Sequence, residues 1–490
     1  MMKKYIQTII QGLFCAGIAL QLTACNDWLD VKPRTEIESE ENYETEQGYK
    51  DALTGIYLLM SSESLYGKEM TFGMVDALAQ YYDGTNGSSQ PYYYAKQYDY
   101  TETNNVSRIN AMWSGVYNVI VNVNELIAHI DAADPSMFTG RNYHLIRGEA
   151  YGLRAFLHFD MLRLFGLSYT VGADEPAIPY VTEVTTGVYP LLSVKDVLMK
   201  VQGDLTIAEG ELAIDPVVEG NDPSSRDDET YERDRTFKFN YYAVKMSQAR
   251  AYLYAGNCTE ANRAAQVLIG QQTFTWTPAS EYSAAVANRN FVGSEELVFS
   301  LYITDLSKLY ANTFTSLNGM YMTNDNYAYV YEESTYGQAD FRYLYQTEMA
   351  SDVRFCAKLR QPSSNGGSFT HRLPLMRISE AYYIAAECAL KNGSEDVPAA
   401  LGYLNQVRAN RGLYAELSST LTADDAQTEL DKEVRKEFFC EGQLYFYYKR
   451  LNRESIPASY SYGWLSTVSP KYVFPLPDDE LEFGGRVQND

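Results

Sequence analysis

Arg377-Ile378-Ser379-Glu380-Ala381-Tyr382-Tyr383-Ile384-Ala385-Ala386-Glu387 opens a stretch that keeps helical spacing to Lys391, turns at Asn392-Gly393 and resumes helical spacing from Val397 to Arg411. Small residues recur at the seam of this pair: Ala381, Ala385, Ala386 and Ala389 on the first helix, Ala399 and Ala400 on the second. Side chains this small let two backbones approach closely, so the spacing predicts a helical hairpin. The same plan stands upstream, where Tyr241 to Ala255 and Thr259 to Ile269 flank Gly256-Asn257, with Ala249, Ala251, Ala255, Ala261 and Ala264 at the seam.

Two such hairpins resemble the tetratricopeptide repeat, interrupted here by more than a hundred residues. Working outward, helical spacing also covers Thr45 to Met60 (Tyr49, Leu53, Ile56, Tyr57, Met60), Val106 to Ile130 and Asn142 to Phe165, the last two as an antiparallel pair. Ser193 is placed to cap a helix from Val194 to Leu212, and Asp424 or Asp425 to cap a final long helix whose stripe is Leu430, Val434, Phe438, Tyr445 and Tyr448. The interruption, by contrast, holds short alternating strings such as Leu297 to Tyr302, which read as strands. The expected fold class is therefore mostly α: a tetratricopeptide-like helical scaffold with a large loop-rich insertion containing short β-strands. The expected division is a signal peptide over 1–24, a polar tether over 25–41, an N-terminal helical scaffold over 42–270 with a tyrosine-rich loop at 80–105, the insertion over 271–370, and a C-terminal helical scaffold with a terminal proline motif over 371–490.

The N-terminus says where the chain works. Lys3 and Lys4 precede an apolar run to Leu22, and Leu22-Thr23-Ala24-Cys25 ends it in small residues followed by cysteine. That is an export signal, too short and interrupted for a membrane span. Its ending resembles the lipobox of bacterial lipoproteins, which implies a lipid on Cys25; an ordinary signal with a chance cysteine is the alternative.

Net charge is −24 and becomes more negative once residues 1–24, with their two lysines and no acid, are removed. A field of that sign excludes nucleic acid as a natural partner and favours neutral ligands or cations, though a local basic pocket can exist. Beyond Cys15 and Cys25 the cysteines are Cys258, Cys356, Cys388 and Cys440, widely spaced and mostly within helical patterns, so they are expected to be mostly free buried thiols. His129, His144, His158 and His371 show no metal spacing, and no metal or cofactor is expected. His158, alone in a helix, reads as a packing residue.

Tyrosine is the unusual entry in the composition, with 43 copies against 4 Trp and 20 Phe. Two stretches concentrate it among Asn, Asp, Gly and Ser: Gln80 to Asn105, and Tyr310 to Tyr336 inside the insertion. A tyrosine ring gives a flat apolar face and a hydroxyl, suited either to stacking on a polar ligand or to packing a loop onto helices; some tyrosines are expected to do each.

Several strings then resemble, in order, the SusD/RagB family of outer-membrane nutrient-binding lipoproteins of the Bacteroidota. They are Cys25-Asn26-Asp27-Trp28-Leu29-Asp30, the helix from Arg147 to Phe165 ending in Leu-Phe-Gly, the Arg377 to Glu387 string, Leu404-Asn405-Gln406-Val407-Arg408 with Arg411-Gly412-Leu413, Arg435-Lys436-Glu437-Phe438 with Glu441-Gly442, and Phe474-Pro475-Leu476-Pro477 with Glu480-Leu481. Leu444 and Tyr447 depart from it, standing where the family usually has arginine and aspartate, and suggest an apolar contact in place of a charged pair. The resemblance implies a non-catalytic helical body, lipid-anchored at the cell surface, that docks over a TonB-dependent SusC-like transporter; its shared Arg and Glu residues are expected to be scaffold. Because sugars present C–H patches ringed by hydroxyls, a neutral oligosaccharide is the leading ligand. The candidate contacts are Tyr81, Tyr82, Asp83, Tyr92, Tyr93, Tyr94 and Tyr98 from the first loop and Tyr321, Asn324, Asn326, Tyr327 and Tyr329 from the second. A peptide- or protein-binding lid of the same transporter is the alternative. A surface glycoside hydrolase needs only two carboxylates, but no catalytic motif supports it.

Overall fold

The computed structural model describes residues 42–83, 87–185, 187–219, 231–315, 319–337, 339–361, 369–391, 395–458 and 463–486. The expected signal peptide (1–24), Cys25 and tether (25–41), with Gly84, Asn86, Asn318 and the Asn392-Gly393 turn, lie outside them. The chain divides into two compact units, residues 1–49 and 50–490. Of the first, the described part carries the start of helix α1 (Glu46–Met60); the rest of this section concerns the second.

Short helices α2 (Met74–Leu78) and α3 (Tyr93–Lys96) precede the long pair α4 (Thr103–Ala132) and α5 (Asn142–Phe165). The Glu102 side chain starts α4 by accepting the backbone N–H groups of Asn104 and Asn105, which the helix itself leaves without acceptors. α5 is buried almost all round. Gly148 and Gly152 make that possible, since a Cβ at either would collide with Leu212 or Phe239. Strands β1 (Pro176–Ile178) and β2 (Leu192–Ser193) lead to α6 (Val194–Glu211), where Ser193 caps as expected by accepting from Asp196 N. Then come α7 (Tyr241–Tyr254) and α8 (Cys258–Ile269), capped by Asn240 and Asn257.

After an excursion the helical run resumes with α11 (Ile378–Lys391), α12 (Val397–Ala409) and α13 (Ala423–Glu437). In space the excursion is skipped: α4 packs on α5, α5 on α6, α6 on α7, α7 on α8, α8 directly on α11, α11 on α12 and α12 on α13. The alanine seams explain that continuity, because Ala261, Ala264, Ala381, Ala385 and Ala386 are all buried. The protein is mostly helical, as read from the sequence, and its two hairpins stack edge to edge.

The excursion leaves and returns on one antiparallel ribbon, β3 (Leu297–Tyr302) with β7 (Arg372–Arg377), in which Leu297 faces Arg377 and Tyr302 faces Arg372. Between them lie α9 (Leu306–Phe314), β4 (Met322–Thr323), α10 (Asn324–Val330), β5 (Thr347–Ala350) and β6 (Val353–Cys356), the strands forming an antiparallel sheet in the order β4-β6-β5.

Four sequence expectations need correction. The final helix is not continuous: α13 ends at Glu437, and α14 (Gln443–Arg450) begins after a break where Cys440 and Gly442 have φ of 66° and 71°. Asp76 holds the break by accepting the N–H groups of Cys440 (3.1 Å) and Gly442 (3.0 Å). The cap of α13 is Thr422, in a capping box with Asp425. Of the four cysteines, Cys258 and Cys388 are free and buried, but Cys356 and Cys440 are bonded to each other across 84 residues of sequence. Nothing local reveals that the end of β6 lies against the helix break. Finally, the Tyr447 hydroxyl donates to Asp431, so the position is polar, while Leu444 is fully buried.

Of the shared residues, Arg377, Arg408, Arg411, Glu437 and Glu441 join Glu296, Asp340, Arg342 and Glu433 in a buried ionic core between α13, α12 and the excursion, whereas Arg435 has no ion pair among the described residues. Arg342 pairs with Asp340, Glu433 and Glu437. Arg411 pairs with Glu296 and Glu437, Arg408 with Glu433, and Arg377 with Glu441. Burial alone would raise Glu433, yet Arg342, Lys436 and Arg408 hold it down to about 2. Removing one partner from such a core leaves an uncompensated buried charge, so its members are interdependent. β8 (Ser455–Pro457) and β9 (Trp464–Ser466) form the last hairpin.

Candidate functional site

The two tyrosine-rich stretches, more than two hundred residues apart in sequence, meet at one seam. Asp83 N–H donates to the Tyr321 carbonyl at 2.9 Å, and the Asp83 carboxylate accepts from Thr323 N (2.7 Å) and Thr323 Oγ1 (2.8 Å). Beside it, Asn326 Nδ2 donates to the Tyr81 carbonyl at 2.7 Å. Thr323 Oγ1 also caps α10 through Asn326 N, so one hydroxyl joins the seam to the helix behind it.

Most candidate tyrosines build this seam from inside. Tyr81 and Tyr82 are fully buried; the Tyr81 hydroxyl donates to the Arg435 carbonyl at 2.6 Å, and the Tyr82 hydroxyl to Asp76. Both rings pack on Phe439. Tyr92 is buried against Glu69 and Arg108, and the Tyr98 hydroxyl donates to the Leu78 carbonyl. Tyr327 is fully buried, its ring stacked on Tyr343 at 4.9 Å and its hydroxyl donating to the carbonyls of Arg342 and Tyr343. Asp83 and Asn326 are buried as well. For Tyr81, Tyr82, Asp83, Tyr92, Tyr98, Asn326 and Tyr327 the sequence assignment to ligand contact is therefore corrected: they are framework. The reason is physical, since a buried hydroxyl must find an acceptor, and here carbonyls in the last turns of α13 and α2 (Arg435, Leu78) and the carboxylates of Asp76 and Glu69 supply it.

The remainder stay open. Tyr93 and Tyr94 form an edge-to-face pair with ring centroids 5.0 Å apart, Tyr93 half-buried and Tyr94 exposed. Tyr321 and Asn324 are half-buried at the seam, and Asn324 Oδ1 is buried without a hydrogen-bond partner. Lys96 reaches back to the Tyr82 carbonyl at 2.6 Å, its ammonium pushed down to about 8 by burial against the opposing pull of Asp83.

Tyr329, 44% exposed, faces elsewhere, into a cleft of about 520 Å³ between α10, α13 and the β8–β9 hairpin. Trp464, 62% exposed, forms another part of its wall, with Asp431, Lys432, Arg435, Tyr448 and Arg453. The sequence reading missed Trp464 and these charged neighbours. Gly463-Trp464 follows an aromatic string much like the two tyrosine-rich stretches, whereas Asp431, Lys432 and Arg435 sit on a helix that reads as scaffold.

His158 holds no part of either region. It is buried and neutral, pushed down to about 3 by burial, with Nδ1 on the Arg154 carbonyl and Nε2 accepting from Val181 N. Among the described residues no cluster of His, Cys, Asp and Glu is arranged to hold a metal, and no helix is long and apolar enough to cross a membrane.

A family model described as the SusD family matches residues 229–482, more than half of the chain. The chain belongs to the SusD family. A second SusD-like model, described as starch-binding associating with outer membrane, matches residues 27–216. SusD-like protein P2 of Formosa agariphila is 27% identical over 168 residues, which are 34% of this chain; the match spans only 30% of that relative's length. Solved structures share the fold nearly end to end. A SusD superfamily protein of Bacteroides thetaiotaomicron matches with TM-score 0.68 at 22% identity, covering 91% of this chain and all of its own. A protein of Bacteroides vulgatus described as a putative sugar binding protein matches with TM-score 0.70 at 21% identity, covering 91% of this chain and 98% of its own. Surface glycan-binding protein A of Bacteroides uniformis matches with TM-score 0.66 at 19% identity, covering 91% and 99%. Identities this low establish the SusD fold alone.

Proposed function

We propose that this SusD-family chain is a lipid-anchored, non-catalytic glycan-binding protein of the outer membrane that captures oligosaccharides and delivers them to a TonB-dependent SusC-like transporter. The observation that carries the reading is the contrast within one amino-acid type: in a family whose model is described as starch-binding, framework tyrosines are sealed and hydrogen-bonded, while Tyr93, Tyr94 and Tyr329 keep ring surface open, Tyr329 in a cleft that Glu332 and Asp431 also line. Aromatic faces bordered by hydrogen-bonding groups match the alternating C–H and hydroxyl surfaces of a sugar. The Leu22-Thr23-Ala24-Cys25 string supports the anchor, with residues 25–41 as a tether.

A glycan array run beside a peptide panel tests it. Binding to at least one oligosaccharide, neutral or acidic, and to no peptide supports the reading; binding confined to peptides replaces it with a peptide-capturing lid. Shortened products after incubation with a bound glycan would instead make it a hydrolase.

A further inference from the structure

The cleft beside α13 holds one charge that has no counter-ion among the described residues. Arg435 lines it and is only 6% exposed. Its Nη2 donates to the Ala458 carbonyl at 3.3 Å, its Nε is buried with no acceptor, and no carboxylate among the described residues lies within ion-pair distance. The other charges of the cleft are matched. Glu332 is taken by Lys432 (3.0 Å) and Lys436 (2.6 Å), and Asp431 by Arg453 (2.6 Å). A buried guanidinium without an anion is costly, and its neighbours on the same helix show how readily this fold supplies one. Among the charged side chains that line the cleft, Arg435 is the one without an ion-pair partner among the described residues.

The surroundings define what would fill it. The Arg435 guanidinium lies over the Tyr329 ring, 5.5 Å from its centroid, so the cation and an aromatic face share one wall of the cleft. Trp464 offers an exposed indole on the same cleft. A planar fork pairs best with a planar carboxylate through two parallel hydrogen bonds, and an indole stacks on the apolar face of a pyranose. One unmatched cation calls for one negative charge, and the strongly acidic chain repels ligands of dense charge. We propose that this cleft binds a carboxylate-bearing sugar, a uronic acid unit within an oligosaccharide, with Arg435 on the carboxylate and Tyr329 and Trp464 against the ring. This rests on the glycan reading above and narrows it.

The test is calorimetry on the full mature chain with trimers of galacturonic, glucuronic and mannuronic acid, each beside its methyl ester, at 50 and 500 mM NaCl. At least one acid should bind tenfold or more tighter than its ester at low salt, and the advantage should shrink at high salt. Arg435→Met keeps the stem and should abolish the acid's advantage; Trp464→Ala, at an exposed position, should weaken acid and ester alike at least threefold. Should Arg435→Met fail to fold, the salt dependence and Trp464→Ala still decide. Equal binding of every acid and its ester overturns the proposal, as does an advantage that survives Arg435→Met or tighter binding of an acidic tripeptide than of any uronate. If neutral glycans bind while no acid gains over its ester, this proposal falls and the glycan reading stands; if no saccharide binds, both fall.

Discussion

Replacing Asp83 with alanine should unfasten the second tyrosine-rich stretch from the first. Asp83 is 5% exposed, and its carboxylate accepts both the backbone N–H and the hydroxyl of Thr323, at 2.7 and 2.8 Å. Hydrogen bonds to a charged group contribute about 1.5–3 kcal/mol each, so two of them, less the cost of burying the carboxylate, leave about 2–3 kcal/mol. The Asp83 N–H bond to the Tyr321 carbonyl survives the substitution, so the seam loosens and does not vanish. A chain of this size is a poor two-state system, which makes local hydrogen exchange the better assay. Amides of residues 321–330 should exchange about 30- to 150-fold faster, as about 1.4 kcal/mol corresponds to tenfold. Amides of α5, far from the seam in sequence and buried on all sides, should hold their protection. Exchange of 321–330 within threefold of the wild type would refute the claim that Asp83 joins the two stretches.

Tyr81→Phe and Tyr327→Phe should each speed hydrogen exchange around the stranded carbonyls about 5- to 30-fold, as about 1–2 kcal/mol is lost at each, with glycan affinity unchanged, because neither ring reaches solvent. Glu437→Ala should cost about 3–5 kcal/mol, since it strips a buried partner from both Arg342 and Arg411. Acid should unfold the protein through buried carboxylates: Glu433 in the ionic core, and Glu387, which pairs with Arg450 and Lys391, are held to about 2 when folded, against about 4.3 when unfolded. Their contribution is complete above about pH 4.3 and disappears as pH falls toward about 2, so denaturant midpoints measured from pH 6 down to pH 3 should fall and the slope should flatten in Glu387→Gln.

Much of the fold was legible because it is local. Alanine seams announced both hairpins, Ser193 announced the start of α6, and the alternation of Leu297 to Tyr302 announced β3. What the sequence could not show depends on long-range placement. Thr422 was missed as a cap because Asp424 and Asp425 are equally good on composition; only the reciprocal bonds between Thr422 and Asp425 decide. The break before α14 needs Asp76, more than three hundred residues away, to accept two N–H groups. The site suffered from the same ambiguity at a finer scale. Tyr81 and Tyr94 have similar neighbours in sequence, yet one is sealed under Phe439 and the other faces solvent. Trp464 was passed over since it stands near the C-terminus, away from the two stretches where tyrosine is densest.

The central claim is that ligand contact falls to the few aromatic side chains this framework leaves open. The direct measurement is the dissociation constant for the tightest-binding oligosaccharide from the array, taken by calorimetry for the wild type and for Tyr93→Ala, Tyr94→Ala and Tyr329→Ala. Loss of a stacking face should weaken binding about fivefold or more in at least one variant with unfolding midpoints unchanged, at about 1 kcal/mol per face. Affinity equal to the wild type in all three would contradict the account.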